Sequence, residues 1–295
     1  MRCEYTLESL LKKGKSVLEE SGIEEAGLDA WLLLEYETGK NRAYYLAHPG
    51  ESVEEHAAEA YLQLIYRRSR HIPVQHLTHQ AWFMGYEFWV DENVLVPRQD
   101  TECLTEEGLK YLKRMKEPRI LDMCTGSGCI LASLLLECPG SRGTGVDISW
   151  EALQVARRNL NTHGLERRAE LVQSNLFESD FFQGISGEGK GIYDMLISNP
   201  PYIATGQIEQ LAEEVRLHDP RIALDGKEDG LHFYRVITSQ SMQFIKPGGY
   251  LLYEIGYDQG EAVTDILRQE GYEDVKLVRD LAGLDRVVCG RKPEK

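Results

Sequence analysis

From Arg119 onward, short apolar runs alternate with amphipathic stretches of helical length, a pattern that few folds other than a helix-wrapped parallel sheet can satisfy. The runs cover 119–123, 144–148, 169–173, 194–198, 249–255, 275–278 and 286–289. The last two suit an antiparallel end to an otherwise parallel sheet, so the expected class is α/β, doubly wound. The stretch 184–191 carries four glycines and reads as a flexible loop before the strand that leads to Asn199.

The N-terminal part reads differently. Leu7, Leu10, Leu11, Val17 and Leu18 recur at helical spacing behind a Thr6 cap, and Ala30, Leu33 and Leu34 form a second stripe ended by Gly39. Asn41 caps a short third turn. Ser52-Val53-Glu54-Glu55 has the form of a capping box before a long helix to Arg68, with Ala57, Ala60, Tyr61 and Leu64 on one face. Arg67, Arg68, Arg70 and His71 make one dense basic cluster, read first as a favourable partner of that helix's dipole. An electrostatic contact to an RNA-associated partner is its sharper alternative. Aromatic and β-branched residues from Ala81 to Val96 then predict a hairpin. The expected division is a helical bundle over 1–80, a hairpin linker over 81–108, and an α/β domain over 109–295.

Two stretches carry chemistry. Ile120-Leu121-Asp122-Met123-Cys124-Thr125-Gly126-Ser127-Gly128-Cys129-Ile130 is a strand, a tight turn and a helix start. Gly126 and Gly128 let backbone approach a ligand closely. Asp147, ending the next run, offers a carboxylate to both hydroxyls of a ribose. NAD and S-adenosyl-L-methionine share that geometry. Leu131 stands where a dinucleotide fingerprint needs a small residue, and Asp122 suits an α-amino group better than a pyrophosphate. S-adenosylmethionine is therefore the better match, with Cys124, Thr125, Gly126, Ser127 and Gly128 forming the turn around it. Further on, Asn175 is positioned to read an adenine edge and Leu176 to pack on its face. The competing roles are a purely structural bend for the glycine turn and a helix N-cap for Asp147.

The second stretch is Asn199-Pro200-Pro201-Tyr202, at the end of the run Met195-Leu196-Ile197. Consecutive prolines fix two φ angles and remove two backbone donors, so a strand must stop there. What is left can hold a planar NH2 group. Asn199 Oδ1 and the Pro200 carbonyl each accept one hydrogen, and Tyr202 covers the flat face. Asn199 also borders the cofactor. A proline-stiffened strand exit is the other reading of the same four residues. If they form a clamp, the chemistry is alkylation of an amino or amide nitrogen.

Charge and cysteines bound the setting. A net charge of −15 argues against long nucleic-acid tracts as a partner, because phosphate neutralisation dominates such binding. It leaves a basic protein partner open. No apolar run reaches membrane-spanning length and no secretory h-region is present, so the expectation is a cytoplasmic protein without a membrane partner. The six cysteines, at 3, 103, 124, 129, 138 and 289, include no C-x-x-C pair, and no metal site is expected.

Taken together, these motifs resemble the bacterial protein-(glutamine-N5) methyltransferases that modify peptide-chain release factors. The resemblance runs over nearly the whole chain. It is most specific at Ile197-Ser198-Asn199-Pro200-Pro201-Tyr202-Ile203 and the Asp122–Gly128 turn, with support from Val94 to Glu102, Asp219 to Gly226, and Leu281 to Val288. It implies a seven-stranded, Rossmann-like class I methyltransferase domain that binds S-adenosylmethionine, behind a small helical domain for substrate recognition. It also implies that the Asn-Pro-Pro-Tyr platform holds the glutamine of a Gly-Gly-Gln loop. The chain departs from the family pattern at Cys124 and His79, where glycine is common, and at Gln99, where proline is usual. The same platform occurs in enzymes that methylate the adenine N6 of DNA or RNA, and a ribosomal-protein glutamine is another possible acceptor.

Overall fold

A computed structural model describes residues 5–185 and 191–294. The glycine-rich stretch read as a loop lies mostly outside them. The described chain divides into two compact units: residues up to Gln80 together with Ala212–His218, and the remainder.

The first unit is helical: α1 (Leu7–Glu20), α2 (Ala26–Thr38), α3 (Arg42–Ala47), α4 (Glu55–Arg68), α5 (Val74–Thr78) and the short α10 (Glu213–His218). Thr6 and Ser9 form a reciprocal capping box at the start of α1, a device that typically contributes about 1 kcal/mol. The box expected at Ser52 does not form. Glu54 occupies the N-cap without a side-chain bond, because Ser52 is drawn into a bridge with Thr6. The buried face of α4 is Ala58, Tyr61, Ile65 and Arg68, one step round from the stripe read in the sequence.

Arg68 explains that rotation and absorbs half of the basic cluster's meaning. Its Nε donates to Asp29 Oδ2 at 2.7 Å, its Nη2 to Glu214 Oε2 at 2.7 Å, and its Nη1 to the Ile72 carbonyl. Burial raises the Asp29 pKa, against the pull of Arg68. His71 pairs with Glu213, and the His218 ring meets the Arg70 carbonyl. Three of the four basic positions thus hold α10 inside the helical unit.

The second unit begins with a short hairpin, β1 (Ala81–Phe83) and β2 (Tyr86–Phe88). The expected hairpin stops there. Val90, Val94 and Val96 pack as irregular backbone with Ala152 and Val155. The rest follows as α6 (Gln99–Leu112), β3 (Arg119–Met123), α7 (Cys129–Glu137), β4 (Arg142–Asp147), α8 (Trp150–Thr162), β5 (Ala169–Gln173), α9 (Asp180–Ile185) and β6 (Tyr193–Ser198). A 3-10 turn (Thr205–Gln210) precedes α11 (Arg221–Leu224), α12 (His232–Ser241), β7 (Ile245–Glu254), α13 (Gly260–Gln269), β8 (Glu273–Arg279) and β9 (Asp285–Arg291). Gln99, in place of the family's proline, is the first residue of α6, a position that proline favours but does not require.

The seven strands run in the order β5-β4-β3-β6-β7-β9-β8. All neighbours are parallel except the β7–β9 and β9–β8 pairs, as the sequence led us to expect. Alternate residues feed two separate cores. Ile120, Met195, Ile197 and Leu252 enter one, and Leu121, Leu196, Leu251 and Tyr253 the other. Both faces are therefore covered, which is why these strands read as continuous apolar runs. The chain winds from β3 outward to β5, then returns to the other side of β3 as β6. That reversal opens a crevice at the carboxyl ends of β3 and β6.

Candidate active site

The two chemical motifs meet at that crevice because of strand register. Met123 pairs with Ser198, so the residues that follow them, Cys124 and Asn199, leave the sheet side by side. Ser198 Oγ donates to the Met123 carbonyl at 2.6 Å and locks the two exits together. A cavity of about 370 Å³ opens above them, lined by Cys124, Thr125, Gly126 and Ser127 of the turn, Asp147, Asn175 and Leu176, and Asn199 with Pro201.

Asp147 sits at the end of β4. Its Oδ2 accepts the Gly126 N–H at 2.9 Å and its Oδ1 the Ser149 N–H at 3.0 Å. Burial pushes its pKa up, while these backbone donors and that of Ile148 hold it down. Each oxygen keeps a lone pair for a ligand. The helix cap is a different residue, since Ser149 caps α8 through its own hydroxyl.

Asp122 and Gly128 do not line the cavity. Asp122 is fully enclosed beneath the turn, with Oδ2 accepting from Thr125 Oγ1 at 2.6 Å and Oδ1 without a hydrogen-bond partner among the described residues. Burial pushes its pKa up to about 7. A raised acid stabilises the fold below the unfolded pKa of 3.8, and that contribution is lost as the pH rises through about 7. The ligand-free protein is therefore expected to lose up to ~4 kcal/mol from this group between those limits. Asp122→Asn keeps the acceptor for Thr125 and should flatten the fall in stability, followed by denaturant unfolding at pH 5 and pH 8. An unchanged slope would contradict it. Gly128 has φ +76°, and a Cβ there would lie 3.1 Å from the Ala156 Cβ, so its role is to bring α7 against α8.

Cys124 adopts φ 61°, and Leu176 φ 50°. The left-handed backbone that glycine would supply is thus present at Cys124 with a side chain on it. The other departure from glycine, His79, also has positive φ (56°), as the C-cap of α5. Residues not read from the sequence complete the support. Asn159 of α8 is buried, and its amide donates to the Ser127 and Trp89 carbonyls, fixing the back of the turn. Its signal was a lone polar residue within the apolar face of an amphipathic helix.

On the β6 side, Asn199 Nδ2 donates to Thr101 Oγ1 at 3.3 Å. The amide is thereby oriented, and Oδ1 is the acceptor left to the cavity. Pro201 lines the cavity with Asn199, whereas Pro200 and Tyr202 are not among its lining residues. The Tyr202 ring packs on the core, its hydroxyl donates to Glu254 Oε1 at 3.3 Å, and its carbonyl accepts Gln259 Nε2 at 2.9 Å. Ile203 bridges Asp225, and Gly226 N–H donates to the Ile203 carbonyl at 2.8 Å. The Asp219 to Gly226 stretch is therefore the backing of the platform.

A mostly parallel seven-stranded sheet of this order, with a glycine turn after β3 and a carboxylate after β4, defines a class I methyltransferase. Residues 9–78 match the family profile "PrmC N-terminal domain", and residues 103–230 match "Methyltransferase small domain". A release factor glutamine methyltransferase of Caulobacter vibrioides is 38% identical over 97% of this chain and 96% of its own. One from Clostridium acetobutylicum is 36% identical over 96% and 97%. The solved structure of the hMettl16 catalytic domain in complex with MAT2A 3'UTR hairpin 6 covers 84% of this chain and 86% of its own at 13% identity, with a TM-score of 0.56. That likeness concerns the fold alone. The chain belongs to the release factor glutamine methyltransferase family.

The methyl donor is S-adenosylmethionine, and the residues present fit it. Asp147 retains acceptor capacity for ribose hydroxyls. The turn's neighbourhood is acidic, with Asp122 below and Asp147 beside it, which disfavours a pyrophosphate. Arg98 does not change that balance, since it is paired with Asp219 at 2.8 Å. No helix among the described residues is long and apolar enough to cross a membrane, and no group of residues there could hold a metal ion.

Proposed function

We propose that the protein methylates the side-chain amide nitrogen, N5, of the glutamine in the Gly-Gly-Gln motif of peptide-chain release factors. The observation that carries this reading is the fixed amide of Asn199, whose NH2 is tied to Thr101 and whose Oδ1 remains free as an acceptor beside the glycine turn. S-adenosylmethionine, when bound, supplies an electrophilic methyl group on a positively charged sulfur. Asn199 Oδ1 and the Pro200 carbonyl accept the two hydrogens of the substrate amide, so its lone pair is turned to the open side. Pro200 and Pro201 bring no N–H to compete for those acceptors. Tyr202, anchored at its hydroxyl and its carbonyl, holds the platform rigid. Asp122 acts on the turn through Thr125. Cys124, Thr125, Gly126, Ser127, Asp147, Asn175 and Leu176 form the nucleoside side of the site.

Methylation makes the amide nitrogen cationic, and it then sheds one hydrogen as a proton to solvent without a dedicated base. The local thiols fit that account. Burial raises the pKa of Cys124 and pushes that of Cys129 up to about 12. Neither is a thiolate at neutral pH.

Asp147→Ala is expected to weaken S-adenosylmethionine binding by about tenfold or more, through loss of hydrogen bonds to a charged group. Calorimetry reads this directly, and an unchanged Kd would refute the ribose role. The function itself is tested by incubating the protein with methyl-labelled S-adenosylmethionine and, separately, release factors, ribosomal proteins and DNA. Label mapped by mass spectrometry to the release-factor glutamine supports the reading. Label on adenine or on a ribosomal protein alone overturns it. The reaction is assigned to the cytoplasm, where release factors work.

A further inference from the structure

Arg98 and Asp219 form an ion pair at the cavity that the chemistry above leaves unused. Arg98 Nη2 donates to Asp219 Oδ2 at 2.8 Å. The Asp219 side chain is sealed (0% exposed), whereas that of Arg98 is 41% exposed and lines the cavity. A guanidinium carries five N–H donors in a fixed plane, and this is the one side-chain hydrogen bond of Arg98 among the described residues. The other donors remain for a ligand. Both ends of the pair are tied to the platform. Arg98 is the N-cap of α6, and its carbonyl accepts the Thr101 N–H at 3.1 Å. Thr101 accepts the Asn199 amide, so Arg98 stands one helical turn from that contact. Asp219 opens the stretch to Gly226 that backs Tyr202, and the next residue, Pro220, lines the cavity.

The chemistry of the pair selects what it can hold. The charge of Arg98 is already met by a buried carboxylate, so what it presents is direction rather than net charge. An anionic ligand would have to compete with Asp219 for the guanidinium. A neutral carbonyl oxygen would not. The wall supplies the need for such a donor, since Pro97, Pro201 and Pro220 all line the cavity and none has an N–H to offer. A loop with consecutive glycines brings main-chain carbonyls that no side chain shields, and each one that leaves water requires a donor.

We propose that Arg98, held in place by Asp219, donates to the main-chain carbonyl of the glycine that precedes the acceptor glutamine. This rests on the release-factor reading above. Glycines offer a binding site nothing but their peptide groups, so a residue that recognises them must address the backbone. Arg98 does so from the same helical turn that orients Asn199 through Thr101. One element thereby registers both the backbone of the loop and the amide that reacts.

The test uses the full chain with S-adenosylmethionine and a release factor. The bond is made in the bound and reacting states alike, so its loss should fall on KM. Arg98→Met should raise KM for the release factor about tenfold, with kcat within about threefold and the cofactor Kd within about twofold of the parent. Because Arg98→Met removes the cation that faces buried Asp219, the double variant Arg98→Met/Asp219→Asn is made beside it and should show the same rise. A semisynthetic release factor, with an ester in place of the peptide bond between that glycine and the glutamine, separates contact from architecture. The ester carbonyl is the weaker acceptor, and it should cost the parent about tenfold in kcat/KM but either variant less than about threefold. An equal ester penalty in parent and variants would overturn the proposal. So would KM within about twofold of the parent, or a loss of cofactor affinity that matches the rise in KM. A parent protein that leaves the natural release factor unlabelled would instead overturn the reaction itself, so the two failures are separable.

Discussion

Replacing Asn199 by alanine is expected to lower kcat by about 10³-fold, the scale seen when one preorganised polar contact to a reacting group is removed. The substitution deletes the acceptor that Thr101 orients and leaves the cofactor wall of Asp147, Gly126 and Leu176 in place. S-adenosylmethionine should therefore bind within about twofold of its original affinity. The loss should fall on kcat and kcat/KM alike, as for a contact that matters in the transition state. Calorimetry and single-turnover assays separate the two effects. A variant that lost cofactor affinity but turned over normally at saturation would show that Asn199 serves the nucleoside, not the amide.

The second large effect is expected from Gly226→Ala, a residue with no contact to any reacting atom. A Cβ at position 226 would lie 2.7 Å from the Tyr202 carbonyl carbon and 2.8 Å from its Cα. Both are backbone atoms, so no rotamer relieves the clash, and the Asn-Pro-Pro-Tyr segment must move by several tenths of an ångström. A misplacement of about 1 Å can cost about 10²-fold in rate, so a shift of this smaller size is expected to lower turnover by about tenfold or more. Overpacking should also cost about 1–3 kcal/mol of stability. Denaturant unfolding measures that cost, and cofactor affinity reports whether the turn after β3 survives. Turnover within twofold of the parent would mean that Gly226 does not fix the platform.

These two sites differ in how openly the sequence displays them. Asn199 and the glycine turn were readable because each is local. Two prolines end a strand, and two glycines bend a chain, whatever else happens. The sheet was readable for a related reason, since strands buried on both faces must be continuous apolar runs, and Leu196 and Ile197 serve opposite cores. Thr101 was visible only as part of a stretch that looked familiar. Its contact with Asn199 spans 98 residues, and that of Tyr202 with Glu254 spans 52. No spacing rule reaches so far. The buried stripe of α4 was misread for the same reason. Arg68 counts as polar until Asp29 and Glu214 are brought to it. At Cys124 and His79 local preference is overruled. Each holds a left-handed backbone despite a Cβ, at a cost of roughly 1 kcal/mol that the surrounding packing must cover.

The guanidinium of Arg68 has a further consequence, for how such chains can be recombined. One of its two carboxylate partners, Glu214, lies 146 residues downstream, between the platform and the Asp219 to Gly226 backing. The helical unit is therefore not a detachable cassette. A crossover at residue 80 that joined this bundle to a distant relative's catalytic half would leave buried Arg68 with Asp29 alone, short of one carboxylate partner, unless Ala212–His218 travelled with it. Inheritance of the two parts is tied together by a few polar contacts centred on Arg68, and sequence drift in one must be answered in the other.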